Sequence, residues 1–188
     1  VFFGQTKGFD AVIGNPPYIR IQHLGKERRE RIQKDWSFCK NGSTDIYIAF
    51  FEMGLQLLKD KGYLAYITPN TYFKTTTAEE LRVFLSNHKI IKNIINFRHH
   101  QIFTNATTYS AITILQKNIN ESSFNYYEGN DKKNISFIDR IKLSNLNQKQ
   151  WILTNNQSLK RIREIENRGK PLGEIANIHV GVTTLADD

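Results

Sequence analysis

Cysteine is almost missing from this chain. The single Cys39 among 188 residues excludes an intrachain disulfide and any zinc site built from several thiolates, and it fits a reducing compartment. No apolar run is long enough to span a bilayer, and no signal-peptide pattern opens the chain. Internal repeats are absent. Acidic side chains are in short supply: 18 Asp and Glu face 26 Lys and Arg, and the resulting net charge of +8 favours a polyanionic partner, nucleic acid first. Clustered metal ligands are lacking too. His99-His100 beside Arg98 has no Asp, Glu or Cys at ligand spacing, so the segment reads as a solvated loop from which Arg98 could reach a phosphate.

What is present suffices for a folded domain. Apolar residues make up 39% and aromatics 12% of the chain, which argues against long disorder. The length fits one compact domain plus a small appendage. Residues 9–14 form an apolar run ending in Gly14 and a Pro-Pro pair, the pattern of a buried strand running into a rigid loop. Residues 26–35 read as a short, charged, exposed helix. Its cations Arg28, Arg29, Arg31 and Lys34 could face DNA, but the interleaved Glu27 and Glu30 favour an ordinary solvated face. A helix capped by Ser43 or Thr44 is expected to run to about Lys59, with Tyr47, Phe50, Phe51, Gly54, Leu55 and Leu58 at helical spacing. Asp45 could cap that helix or lie near a cofactor. Strands are expected at 63–68 and 90–97, with a helix at 77–87 between them.

This alternation predicts an α/β domain with a largely parallel sheet, and the later β-rich runs at 109–115 and 124–127 predict an antiparallel hairpin at its edge. Three parts are expected: 1–118, a peripheral β-rich extension at 119–156, and a helix with the start of something new at 157–188. Val1 and Asp188 both look like cuts through a longer polypeptide.

The sharpest feature is Asn15-Pro16-Pro17-Tyr18, placed directly after the first strand. Sites in open α/β sheets form at the carboxyl ends of strands. The amine of a nucleobase is a poor nucleophile because its lone pair is delocalised into the ring. Two acceptors aimed at its two hydrogens would free that lone pair. Asn15 can supply one through its side-chain oxygen, and the backbone carbonyl of Pro16 the other. Consecutive prolines hold that carbonyl without reorganisation. Tyr18 offers a flat face for an extruded base.

This segment resembles motif IV of the amino-methyltransferases. Further downstream, Thr44 to Glu52, Lys61 to Asn70 and Phe103 to Ala111 resemble successive segments of the adenine-specific DNA methyltransferases of restriction–modification systems. Pro171 to Thr184 is similar to the start of their target-recognition domain. The resemblance implies part of a Rossmann-like methyltransferase sheet, N6 methylation of adenine in double-stranded DNA, and S-adenosylmethionine as cofactor without a metal. It implies a catalytic role for Asn15, Pro16, Pro17 and Tyr18, with base stacking by Tyr18 and by Phe103, Tyr109 being the neighbouring alternative. Asn15 and Pro17 would line the cofactor's methyl-donating edge, with Asp45 near the cofactor; by residue type and position, Arg98, Lys160 and Arg161 could face DNA. The Gly-containing cofactor loop of such enzymes normally precedes motif IV. The main cofactor pocket is therefore expected outside this fragment, which alone should be inactive. A nuclease domain or subunit in the parent protein and a cytoplasmic location in a bacterium or archaeon are also implied. Asn-Pro-Pro-Tyr is shared with methyltransferases acting on protein glutamine or RNA, which remain alternatives, as does a non-catalytic DNA-binding fragment.

Overall fold

The computed structural model describes residues 8–40, 44–103, 108–131 and 133–177. Two compact units divide the chain, Val1–Asn155 and Asn156–Asp188. The first is built on a six-stranded sheet in the order β1-β2-β4-β3-β5-β6. Its strands are β1 (Phe9–Gly14), β2 (Leu58–Pro69), β3 (Ile91–Asn96), β4 (Ser110–Gln116), β5 (Ser123–Gly129) and β6 (Ile135–Lys142).

β1 runs parallel to β2, and β3 parallel to β5. β4 lies antiparallel between β2 and β3, so β1, β2, β3 and β5 all point the same way. The α/β reading with an antiparallel edge hairpin therefore holds. The hairpin, however, is β5–β6, and the 109–115 run enters the middle of the sheet instead of its edge. Periodicity reports which residues are buried but not which strand is the neighbour. The segment 119–156 supplies β5 and β6, and Phe124 and Tyr126 of β5 are buried in the main core.

β1 differs from the buried strand its apolar run predicts. It has only β2 beside it among the described residues, and Ile13 is 80% exposed.

The helices of this unit are α1 (Lys26–Asp35), α2 (Ile46–Leu57) and α3 (Glu79–Asn87). α1 buries no residue and carries i,i+4 ion pairs Lys26–Glu30 and Arg31–Asp35, as a solvated helix would. α2 buries Tyr47, Ile48, Phe51 and Leu55 at helical spacing. Gly54 lets it approach β2 closely, because a Cβ there would lie 2.3 Å from Leu64 Cδ1 and 2.5 Å from the Tyr66 hydroxyl.

Of the caps expected for α2, Thr44 does not serve. Thr44 Oγ1 is buried without a partner, Asp45 makes no side-chain capping bond, and Ser43 lies outside the described residues. The amide of Ile46 instead donates to the carbonyl of Ile19 at 2.8 Å, and that of Ile21 to the carbonyl of Thr44 at 2.9 Å. A short antiparallel bridge from the loop after β1 thus takes over the work of a cap. α2 also stops at Leu57, two residues before the expected Lys59. Lys61 adopts φ +63°, and a Cβ on Gly62 would meet the Phe9 carbonyl at 2.8 Å, so this tight turn belongs to β2.

The second unit contains α4 (Asn156–Arg168) and the single turn α5 (Leu172–Ile175). Lys160 and Arg161 are exposed on α4. Residues 178–184 of the expected recognition-domain start lie outside the described residues. Among the described residues no helix is long and apolar enough to cross a membrane.

Candidate active site at the carboxyl edge of the sheet

Because β1, β2, β3 and β5 point the same way, their carboxyl ends Gly14, Pro69, Asn96 and Gly129 share one edge. Asn15 to Tyr18 leaves β1 at this edge. Asn15 and Pro17 are exposed, Pro16 is buried and Tyr18 is half-buried. The Tyr18 hydroxyl donates to the Ile67 carbonyl of β2 at 3.2 Å. Its ring stands edge-on to Tyr47, with centroids 6.4 Å apart and planes at 78°. Burial pushes the Tyr18 phenol up; Ser110 lies close enough to oppose this, yet its buried hydroxyl completes no hydrogen bond among the described residues. The phenol therefore acts as a neutral donor.

Asp45 sits half-buried at the start of α2, bridged through backbone to Arg20. Burial raises its carboxyl pKa, with Arg20 and His23 pulling the other way. Tyr47 is fully buried, and its hydroxyl meets Thr71 Oγ1 at 3.4 Å. These contacts join the loop after β1, the start of α2 and the loop after β2.

A second set of residues occupies the same edge; of these only Arg98 was given a role, at DNA, by the sequence. Asn70, just past β2, donates its side-chain amide to Asn96 Oδ1 and to the Arg98 carbonyl, both at 3.0 Å. Asn96 Oδ1 also accepts the Arg98 amide at 2.9 Å, and Asn96 Nδ2 donates to the Tyr126 hydroxyl at 3.2 Å. Tyr126 donates in turn to Glu128 Oε1 at 2.9 Å, while Arg98 Nη1 reaches Glu128 Oε2 at 3.0 Å. One polar network therefore ties the ends of β2, β3 and β5. The only sequence signal was position: polar residues where apolar strands end.

Beside this network opens a cleft of about 660 Å³, lined among others by Asn70, Thr71, Lys74, Arg98, Tyr109 and Trp151. Tyr109 is 44% exposed there. Phe103, the aromatic favoured by the resemblance, is half-buried and does not line the cleft, and Thr104 to Thr107 lie outside the described residues. The cleft wall is fixed from behind by Arg82, which is fully buried on α3. It donates to the carbonyls of Tyr72 and Thr75 at 2.7 Å, Gln148 at 3.0 Å and Lys149 at 2.5 Å. No carboxylate pairs with it among the described residues; a ring of carbonyls solvates the guanidinium instead. Among the described residues, no group of His, Cys, Asp and Glu could hold a metal ion.

Known proteins are similar to this chain in sequence and fold. Residues 1–103 match the family described as Eco57I restriction-modification methylase. The type II restriction enzyme and methyltransferase RM.Eco57I of Escherichia coli is 33% identical over 95% of this chain and 19% of its own length. The type II methyltransferase M.HincII of Haemophilus influenzae is 30% identical over 70% of this chain and 24% of its own. The chain thus spans about a fifth to a quarter of these curated relatives. Among solved structures, a type I restriction-modification methyltransferase subunit from Streptococcus thermophilus aligns with a TM-score of 0.55 at 21% identity, covering 87% of this chain and 32% of that one. The type IIG restriction endonuclease BpuSI aligns with a TM-score of 0.56 at 14% identity, covering 76% of this chain and 20% of that one. These structures share the methyltransferase fold of the sheet. With the family match covering more than half its length, the chain belongs to the Eco57I restriction-modification methylases.

Proposed function

We propose that this chain carries the base-binding half of an adenine N6 DNA methyltransferase, working with S-adenosylmethionine inside a restriction–modification enzyme. The observation that carries the reading is Asn15-Pro16-Pro17-Tyr18 at the carboxyl end of β1, with the Asn15 amide exposed and Tyr18 anchored to β2. The Asn15 side-chain oxygen and the Pro16 carbonyl accept the two hydrogens of the adenine amine and turn its lone pair outward. Tyr18 stacks on one face of the flipped base and Phe103 on the other.

The residues present fit the methyl-donating edge of the cofactor. Asn15 and Pro17 are open to solvent at the strand end, and Asp45, bridged through backbone to Arg20 of the same loop, offers a half-buried carboxyl. When bound, S-adenosylmethionine supplies an electrophilic methyl group. Asn15 and Pro16 orient the acceptor nitrogen, while Tyr18 holds the ring away from water.

Double-stranded DNA is the partner, with Arg98, Lys160 and Arg161 facing its backbone. In support, BpuSI is a restriction endonuclease, a similar solved structure is the type ISP restriction-modification enzyme LlaGI in complex with a DNA substrate mimic, and RM.Eco57I is a restriction enzyme and methyltransferase. The test uses the natural polypeptide that contains this chain. Asn15→Ala is expected to abolish methyl transfer to duplex DNA while leaving DNA binding within about twofold. Wild-type turnover by that variant would sink the assignment. Methylation of a release factor or ribosomal RNA in place of DNA would redirect it to another amino-methyltransferase.

A further inference from the structure

We propose that the cleft between the loop after β2 and the turn after β3 grips the DNA strand next to the flipped base, holding one phosphodiester with Lys74 and Arg98. This rests on the adenine-methylation reading and assigns a distinct site within it. Thr71, which lines the cleft, meets Tyr47, whose ring stands edge-on to Tyr18. The cleft therefore adjoins the loop that holds the base.

Its chemistry suits a nucleotide. Lys74, Arg98 and His99 line it, and no carboxylate does among the described residues. Lys74 is exposed, and its ammonium has no acidic partner among the described residues. Arg98 is 56% exposed and shares one nitrogen with Glu128, which leaves other guanidinium donors for a phosphate oxygen. Tyr109 presents an exposed ring on which a sugar or base can rest. The volume, about 660 Å³, lies within the span of small-ligand sites.

The site is also built rather than incidental. Arg98 holds φ +51°, a left-handed conformation unfavourable for a residue with a Cβ. It is braced on both sides, its amide by Asn96 and its carbonyl by Asn70. The Asn70 amide donates to the Tyr109 carbonyl at 2.9 Å, so one residue sets the backbone of both Arg98 and Tyr109. Lys74 lies between Tyr72 and Thr75, whose carbonyls both accept from Arg82. The backbone that carries both cations and the ring is thus set before any ligand arrives.

The natural polypeptide containing this chain is assayed for methyl incorporation into unmethylated plasmid DNA at several salt concentrations. Lys74→Ala and Arg98→Ala are each expected to raise KM for DNA about tenfold and to lower the slope of log KM against log salt by about one. The loss should fall on KM rather than on kcat, and KM for S-adenosylmethionine should hold. Lys34→Ala on the solvated α1 removes the same charge and should leave the slope unchanged. Wild-type slopes in both cleft variants would overturn the proposal while leaving the methylation reading intact. A wild-type protein that transfers no methyl group to DNA would overturn that reading, and the cleft assignment with it.

Discussion

The Tyr18 hydroxyl donates to the Ile67 carbonyl at 3.2 Å, so the residue proposed to hold the base is pinned to the strand next to its own. The bond and the ring can be separated by substitution. Tyr18→Phe keeps the ring and loses the anchor, and is expected to cost about 1 kcal/mol of stability with most activity kept. Tyr18→Ala also removes the ring and should weaken transition-state binding by a further 1–3 kcal/mol, about the worth of one base–aromatic stack. Comparing kcat/KM with the urea midpoint for both variants checks this. Equal activity in Phe and Ala variants would refute a stacking role.

Arg82 should be the most costly polar residue to truncate among the described residues. Four carbonyls lose their donor together, three of them at 2.7 Å or less. Arg82→Ala is expected to destabilise by about 3 kcal/mol or more in denaturant unfolding, through orphaned acceptors and a cavity. Arg82→Lys keeps the charge but lacks the planar fork, and should recover only part of the loss.

Cys39 gives a prediction in pH. Burial pushes its thiol up from the ordinary 9.0 to about 12, with Glu52 adding to the shift. Between those values the folded state keeps a proton that the unfolded state releases. Stability is therefore unaffected below about pH 9 and falls as pH rises toward 12. Cys39→Ala should flatten that decline in unfolding curves. The native thiol should resist iodoacetamide at neutral pH and react once denatured.

The backbone at Arg98 can be tested apart from its charge. Arg98→Gly and Arg98→Ala both lose the pair with Glu128, but only glycine accepts φ +51° without penalty. The glycine variant should be the more stable by about 1 kcal/mol in thermal unfolding. Equal melting temperatures would mean that the turn relaxes once the side chain is gone.

Much of this arrangement was legible from residue order. The 26–35 helix coincides with α1 because its charge patterning lies within the segment itself. The loop at Asn15 was legible because two prolines after an apolar run leave the chain few conformations. Arg82 was not. It stands beside Leu81 in an ordinary amphipathic helix, and its partners at Gln148 and Lys149 are 66 and 67 residues away. The polar network was hidden for the same reason, since Asn70, Asn96 and Glu128 meet only once β4 has separated β2 from β3.

That separation also bears on how the chain is made. On a ribosome, β2 and β3 emerge before β4; β2 has β1 along one edge and keeps the other open, while both edges of β3 await strands not yet synthesised. Two unpaired edges awaiting the same partner form a slot that any extended segment of another chain could enter. Slow translation between β3 and β4 is therefore expected to prolong that exposure and to favour aggregation over a closed sheet.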